Sequence, residues 1–369
     1  MNFTCLQENL LKGLQIARQS STKQSMLPIL QNYLLEEREG SLILTTTNLE
    51  ISIKTYIRGK QEGKGKITIP QDKLLNYIKN LPQDKIEISL EENTLNVKSG
   101  NEFKAKFNGM DANDFPEIPN IESKLDINLS TQDLKEAFKM TINSLPKNDF
   151  RPEISGVLLM EKEGKLFFVG TDGFRLAEKK ISNVNLTSTN FQFIIPAKTV
   201  QECNRILDLV DDEDVKLSFN DNQMSMILSS VELTSKLIEG KYPQYEGLIP
   251  TSFEKSFSVD KNSLIQAIRL SSVFSDDNIH DVKFYLVNNQ TLEIQSETDS
   301  YGENKTQITC QLTGEADFII NFNYSFIMDG LSLIKGDLIK FFLNETDSPV
   351  IMKGEDSEQF FYLVMPIRG

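Results

Sequence analysis

The 369-residue chain contains no tryptophan, one histidine and three cysteines. With His280 as the only imidazole, a multi-histidine metal site is excluded, and no nucleophile motif accompanies it for a triad. Cys5, Cys203 and Cys310 are odd in number, far apart and without CxxC spacing, so they read as buried free thiols rather than a disulfide framework. Apolar runs stay well short of the roughly 18 residues that would cross a bilayer. The opening "MNFTCLQENLLKGL" places charges where a signal peptide needs apolar residues, which predicts a cytoplasmic protein.

Nucleotide-binding fingerprints are missing too. "GKGK" (Gly63–Lys66) lacks the spacing and the Ser/Thr of a P-loop, and neither G-x-G-x-x-G nor G-x-S-x-G occurs. The acidic runs "DDED" (Asp211–Asp214) and "SDDN" (Ser275–Asn278) read as solvated turns rather than cation sites. No metal, cofactor or catalytic cluster is expected, and the reading is a non-enzyme. Positive charge is also scarce: 39 Lys and Arg stand against 53 Asp and Glu, a net charge of −14. Spread evenly, that balance would argue against nucleic acid. No Lys/Arg stripe interleaves with aromatics to stack single-stranded bases, and no helix-turn-helix, zinc-finger or RNA-recognition signature is present.

What is present is repetition. "FTCLQENLLKGL" (Phe3–Leu14) returns as "INLSTQDLKEAF" (Ile127–Phe138) and as "FSVDKNSLIQAI" (Phe257–Ile268), aligning Leu10, Leu134 and Leu264. A second landmark keeps the step: "KITIPQDKLLNYI", "QFIIPAKTVQECN" and "DFIINFNYSFIMD" align Ile69, Ile195 and Ile320. Between the landmarks stand apolar strand pairs, at "SLILTTTNLEISI", "KLFFVGTDGFRLA" and "TLEIQSETDSYGE". Three homologous domains follow, at 1–121, 122–251 and 252–369. Each reads as strand, helix, several alternating strands, then strand and helix again. Helices are predicted near Gln7–Gln19, Gln71–Asn80, Thr131–Leu145, Ala197–Leu209, Lys261–Val273 and Asn323–Lys335. Strands outnumber helices and hairpin turns abound, so the class is α+β with antiparallel sheets backed by helices.

The helix windows with short flanks carry a net charge of +6, leaving −20 on the remainder. If all six helices share a face, that face is electropositive on an acidic protein and would hold a polyanion weakly and without sequence preference. Helices also favour Lys and Arg for their propensity alone, so the charge by itself leaves both readings open.

"LPIL" (Leu27–Leu30), "TDGFRLA" (Thr171–Ala177), "SKLIEGKYPQYEGLIP" (Ser235–Pro250) and "YLVMPIR" (Tyr362–Arg368), in this order along the chain, resemble the bacterial DNA polymerase III beta subunits, the sliding clamps. The resemblance spans the whole chain. It implies the DNA-clamp fold in three tandem domains, with antiparallel sheets outside and two helices per domain lining the inside of a ring. It implies a head-to-tail homodimer that encircles double-stranded DNA without sequence preference. It also implies a non-catalytic processivity factor for the replicative DNA polymerase. Short linear peptides of the polymerase, the clamp loader, repair polymerases, mismatch-repair proteins and ligase would dock between the second and third domains. The apolar tail "FFYLVMPIRG" would then be one wall of that pocket.

Matched motif by motif, the implied pocket comprises Ile154, Thr171, Gly173, Phe174, Arg175, Leu176, Pro243, Leu248, Val364, Met365, Pro366 and Ile367, with Arg175 available to a peptide carbonyl or carboxylate. DNA-facing residues would be Lys12, Arg18, Lys23, Gln24, Lys73, Lys79, Lys135, Lys139, Lys147, Asn148, Arg151, Lys198, Arg205, Lys261 and Arg269. Dimer closure would pair an edge strand bearing Phe103, Ala105 and Phe107 with a partner surface at Val273 and Phe274 and a strand near Gln295–Tyr301. The chain departs from the commoner family pattern at Gln24 and Gly247, where basic residues are frequent. It also departs at Pro152 and Glu153, where aromatics occur, and at Phe174, where histidine is common. These changes put loop contacts with DNA and peptide preference in question. The competing reading is a β-rich peptide-binding scaffold that never meets DNA; it gives no reason for positive charge to gather on helices.

Overall fold

The computed structural model describes residues 1–18, 27–38, 40–118, 121–147, 151–182, 184, 186, 189–276, 279–299, 302–355 and 357–367. Among these residues six α-helices form where the periodicity places them: α1 Gln7–Ala17, α2 Gln71–Lys79, α3 Thr131–Ile142, α4 Ala197–Leu207, α5 Lys261–Ser272 and α6 Tyr324–Leu333. In α1 the buried Leu10, Gly13, Leu14 and Ala17 recur at helical spacing and turn one face to the core. Side-chain caps start α5 and α6: Asp260 Oδ1 accepts the Ser263 amide at 2.8 Å, and Asn323 Oδ1 accepts the Ser325 amide at 2.9 Å.

The threefold repeat is visible in backbone bonding. The first residue of each odd-numbered helix donates its amide to a carbonyl just beyond the following even-numbered helix. These bonds run from Gln7 to Asp84 at 2.9 Å, from Thr131 to Glu213 at 2.8 Å and from Lys261 to Asp337 at 2.7 Å. Each satisfies a donor that a helix N-terminus leaves orphaned. The six landmark residues Leu10, Leu134, Leu264, Ile69, Ile195 and Ile320 are all buried. Each such side chain contributes about 1.5–3 kcal/mol of burial.

Among the described residues every strand pairing is antiparallel, in sheets of five, eight and twelve strands. The chain separates into two compact units. One comprises mainly Met1–Lys135 and Lys198–Leu237, the other mainly Glu136–Asn183 and Ile238–Gly369. The middle third is therefore divided, and strand pairing is the reason. In the first unit, strand Ile51–Arg58 pairs with Val231–Lys236, with Ile53 opposite Leu233. In the second, strand Arg175–Ile181 pairs with Phe360–Val364, with Leu176 opposite Leu363. The first unit centres on a core of Phe3, Leu10, Leu14, Tyr33, Leu44, Ile69 and Leu74. The second holds a core in which Phe257 stacks on Phe341 at 4.5 Å, joined by Phe284, Phe322 and Tyr362.

Several strands lack a neighbour along one side among the described residues, and two of them stand out by their places in the repeat. Strand Phe103–Asn108 ends the five-stranded sheet. Strand Gly302–Thr313 pairs with Thr291–Thr298 along one side, but its other side is covered only from Cys310 to Thr313. The edge expected near Gln295–Tyr301 is thus displaced. Thr291–Thr298 is an interior strand, flanked on both sides, and the open edge is its successor, residues 302–309. A hairpin's two strands carry similar patterns, so sequence does not say which one faces outward.

Candidate functional site

The site is built around the turn joining strand Lys165–Thr171 to strand Arg175–Ile181. Thr171 Oγ1 donates to the Arg175 carbonyl at 2.6 Å and accepts the Gly173 amide at 3.1 Å. Asp172 Oδ1 accepts the amides of Phe174 at 2.9 Å and Arg175 at 3.0 Å. Gly173 sits at φ +91°, a conformation that side chains disfavour. The result is a tight loop that holds the Phe174 side chain out, 63% exposed. The Met365 amide bonds the Phe174 carbonyl at 2.8 Å, so the C-terminal segment runs along this loop.

Below it lies a small apolar cluster of Ile154, Leu158, Val169, Leu176, Ile194, Tyr242, Tyr245, Ile351 and Leu363, with Met365, Ile249 and Phe361 half-buried against it. Tyr245 donates to Glu178 Oε2 at 2.7 Å, and burial pushes the Glu178 carboxyl up from its ordinary value. Of the expected pocket residues, Ile154, Leu176 and Met365 meet here. Pro243 and Leu248 are exposed, Pro366 is buried, and Ile367 is half-buried with its amide on the Asn321 carbonyl.

Two expected members point the other way. Alternation along a strand sends Arg175 and its partner Val364 to the face opposite Leu176 and Leu363. Val364 is fully buried in the second unit's main core. Arg175 is 6% exposed rather than open to an incoming peptide. Its Nε bonds Asp172 Oδ2 at 2.9 Å, its Nη1 reaches Asp329 of α6 and the Tyr362 hydroxyl at 3.4 Å, and its guanidinium lies 4.5 Å over the Phe326 ring. Burial works against this charge, but Tyr362, Asp329 and Asp172 raise its pKa overall and keep it protonated. Gly330 lets α6 approach this closely, since a Cβ there would meet Tyr362 Cδ1 at 2.6 Å. The quoted motifs contain Leu363, Tyr242 and Tyr245, yet only the fold brings them to Leu176: Leu363 by sheet register, the two tyrosines by the path of the segment after strand Val231–Lys236.

The basic residues divide by environment. Lys73, Lys79, Lys139, Lys147, Lys198 and Arg269 are exposed. Lys12 pairs with Asp211 at 3.0 Å, Arg18 with Asp72 at 2.9 Å, and Lys135 with Asp208. Arg151 donates to the Asp172 carbonyl at 3.4 Å. Two are committed to helix ends. Arg205 bonds Glu202 and the Gln15 and Ile16 carbonyls of α1, and Lys261 Nζ bonds the Ile334 carbonyl beyond α6 at 2.7 Å. Lys23, Gln24 and Asn148 lie outside the described residues. On the open edge Phe103–Asn108, Phe103 is exposed and Ala105 and Phe107 are half-buried, with Phe107 against Tyr77 at 5.6 Å; just beyond α5, Val273 is exposed and Phe274 half-buried.

Comparison with known proteins covers the full length. Residues 1–119, 128–244 and 246–368 match the family models for the N-terminal, central and C-terminal domains of the DNA polymerase III beta subunit. A beta sliding clamp of Pseudomonas aeruginosa is 30% identical over 370 residues, covering all of both chains. One of Synechococcus elongatus is 29% identical over 377 residues, covering all of this chain and 99% of the relative. Among solved structures, the DNA polymerase III beta subunit of Pseudomonas aeruginosa superposes with a TM-score of 0.94 at 29% identity over the whole of both chains. That of Thermotoga maritima gives 0.92 at 27%, covering all of this chain and 99% of the other. Clamps of Pseudomonas aeruginosa and Bartonella birtlesii have been solved bound to griselimycin.

Proposed function

The chain belongs to the DNA polymerase III beta subunit family, and from that premise we propose that it closes as a head-to-tail homodimer around duplex DNA. Its fold is the three-domain clamp fold, and its role is that of a non-catalytic replicative sliding clamp. The two open strand edges carry the proposal of a dimer. By the repeat, residues 302–309 correspond to strands Ile51–Arg58 and Arg175–Ile181, while Phe103–Asn108 corresponds to Val231–Lys236 and Phe360–Val364. Within the chain, members of these two sets pair with each other twice. The remaining two edges are the mates left over, and a second copy satisfies both. The domains divide near residues 121 and 251. Val273 and Phe274, which follow the Ser271 that bonds Asn304 on the 302–309 edge at 2.9 Å, would pack beside that edge.

The exposed lysines and Arg269 would then contact phosphates inside the ring. Encirclement retains DNA topologically, so a few weak, sequence-independent contacts suffice, and the acidic remainder discourages binding elsewhere. Polymerase, clamp loader and repair proteins would dock apolar anchors of short peptides beside Phe174, Leu176 and Met365, in the cytoplasm where DNA is copied. No helix among the described residues is long and apolar enough to cross a membrane. Griselimycin would occupy the same face. Sedimentation equilibrium tests the assembly: a mass near twice 42.0 kDa supports it. A monomer at micromolar concentration would refute it.

A further inference from the structure

We propose that Asp329, on α6, is a positioning residue for the docking turn and acts through Arg175; the proposal rests on reading that turn as the docking element. The contacts form one chain. The Asp329 carboxylate holds Arg175 Nη1, the Phe326 ring lies 4.5 Å from the guanidinium, and Nε holds Asp172 Oδ2 at 2.9 Å. The other oxygen of Asp172 accepts the Phe174 and Arg175 amides that shape the loop. Each link is charge-assisted; Arg175 and Asp172 are largely withdrawn from water, which strengthens the bond between them, while the Asp329 carboxylate reaches them from a half-exposed position.

The repeat supplies an internal control. In the first domain, Thr47 Oγ1 donates to the Ile51 carbonyl at 3.2 Å and accepts the Leu49 amide at 3.1 Å. Asn48 Oδ1 accepts the Glu50 and Ile51 amides at 3.0 and 2.7 Å. The backbone geometry of the turn is therefore repeated bond for bond, with Asn48 in place of Asp172 and Ile51 in place of Arg175. A neutral side chain suffices to form such a turn. Of these two copies, the acidic acceptor, the arginine and the tie to a helix belong to the one that presents Phe174. With Asp329 neutral, the buried guanidinium loses an anionic partner and gains by turning toward water, which draws Nε away from Asp172. The loop then spends less time in the form that receives a partner, and apparent affinity falls by that fraction.

Amide hydrogen exchange of the full-length protein tests this without any ligand. In Asp329→Asn, the Phe174 and Arg175 amides should exchange about tenfold faster, while Ala177 and Lys179 further along the strand keep their rates; Asp329→Glu should restore protection in part. Phe326→Leu, which removes the ring beneath the guanidinium, should act in the same direction and serves if Asp329→Asn does not fold. Unchanged exchange at Phe174 and Arg175 in a folded variant, or acceleration spread evenly along the strand, overturns the proposal. Griselimycin titration of the same proteins should show a several-fold rise in Kd for Asp329→Asn. A wild-type protein that binds no griselimycin would count against the docking reading, while the exchange rates would still decide the role of Asp329.

Discussion

Phe174→Ala separates docking from folding. The side chain is 63% exposed, so its removal leaves no core cavity, and stability should change by no more than about 0.5 kcal/mol. Its value lies in what a partner covers. A phenylalanine offers roughly 200 Å². The exposed fraction is then about 125 Å², or an upper limit of about 3 kcal/mol at 25 cal/mol per Å². Ordering the ring and incomplete coverage take about half of that, leaving roughly 1.5 kcal/mol, or about tenfold in affinity. Calorimetric titration with griselimycin alongside a thermal melt gives both quantities. An unchanged Kd would show that the exposed ring is not part of the docking face. A Tm lowered by many degrees would show that Phe174 supports the fold and that the exposure argument fails.

Val364→Ala should behave oppositely, costing about 2 kcal/mol of stability by loss of two buried methyl groups, with griselimycin affinity unchanged once the protein is folded; denaturant titration reads the first and calorimetry the second. Phe103→Glu, on the open edge, should shift the sedimentation mass from dimer toward 42.0 kDa without altering the far-ultraviolet spectrum. Replacing Lys73, Lys79, Lys139 and Lys198 by alanine should weaken retention on DNA and flatten its salt dependence, by about one unit of slope for each lysine that meets a phosphate. Acid denaturation should depend on Glu136. Burial pushes its carboxyl up, but hydrogen bonds from Lys335 and Lys179 outweigh that and hold it below the ordinary range. A depressed carboxylate stabilises above its unfolded pKa and loses that contribution as pH falls through its folded one, so Glu136→Gln should flatten the acid limb of Tm below about pH 4.

Sequence periodicity placed all six helices to within a few residues, because each buries one face at helical spacing; Leu10, Leu134 and Leu264 lie at equivalent points for that reason. The division of the middle third between two units was not legible, because strand partners such as Leu233 and Ile53 are set by three-dimensional pairing. The same limit governs the docking face. The motifs name Arg175, Leu176, Leu363 and Val364 together, and only register sorts them onto two faces of one sheet. Charge shows the sharpest difference. Arg205 and Lys261 read as basic helix residues, yet both cap the carbonyls of another helix, a use that depends on which helix ends lie beside them. Lys73 and Lys198, by contrast, stay exposed.

The central claim is retention by encirclement. Load the protein onto nicked circular DNA with its clamp loader and ATP, pass the complex over a sizing column at moderate salt, and repeat after cutting the circle once. Co-elution with the circle and release from the linear form is the predicted result. Equal retention on both, or none on either, would contradict it.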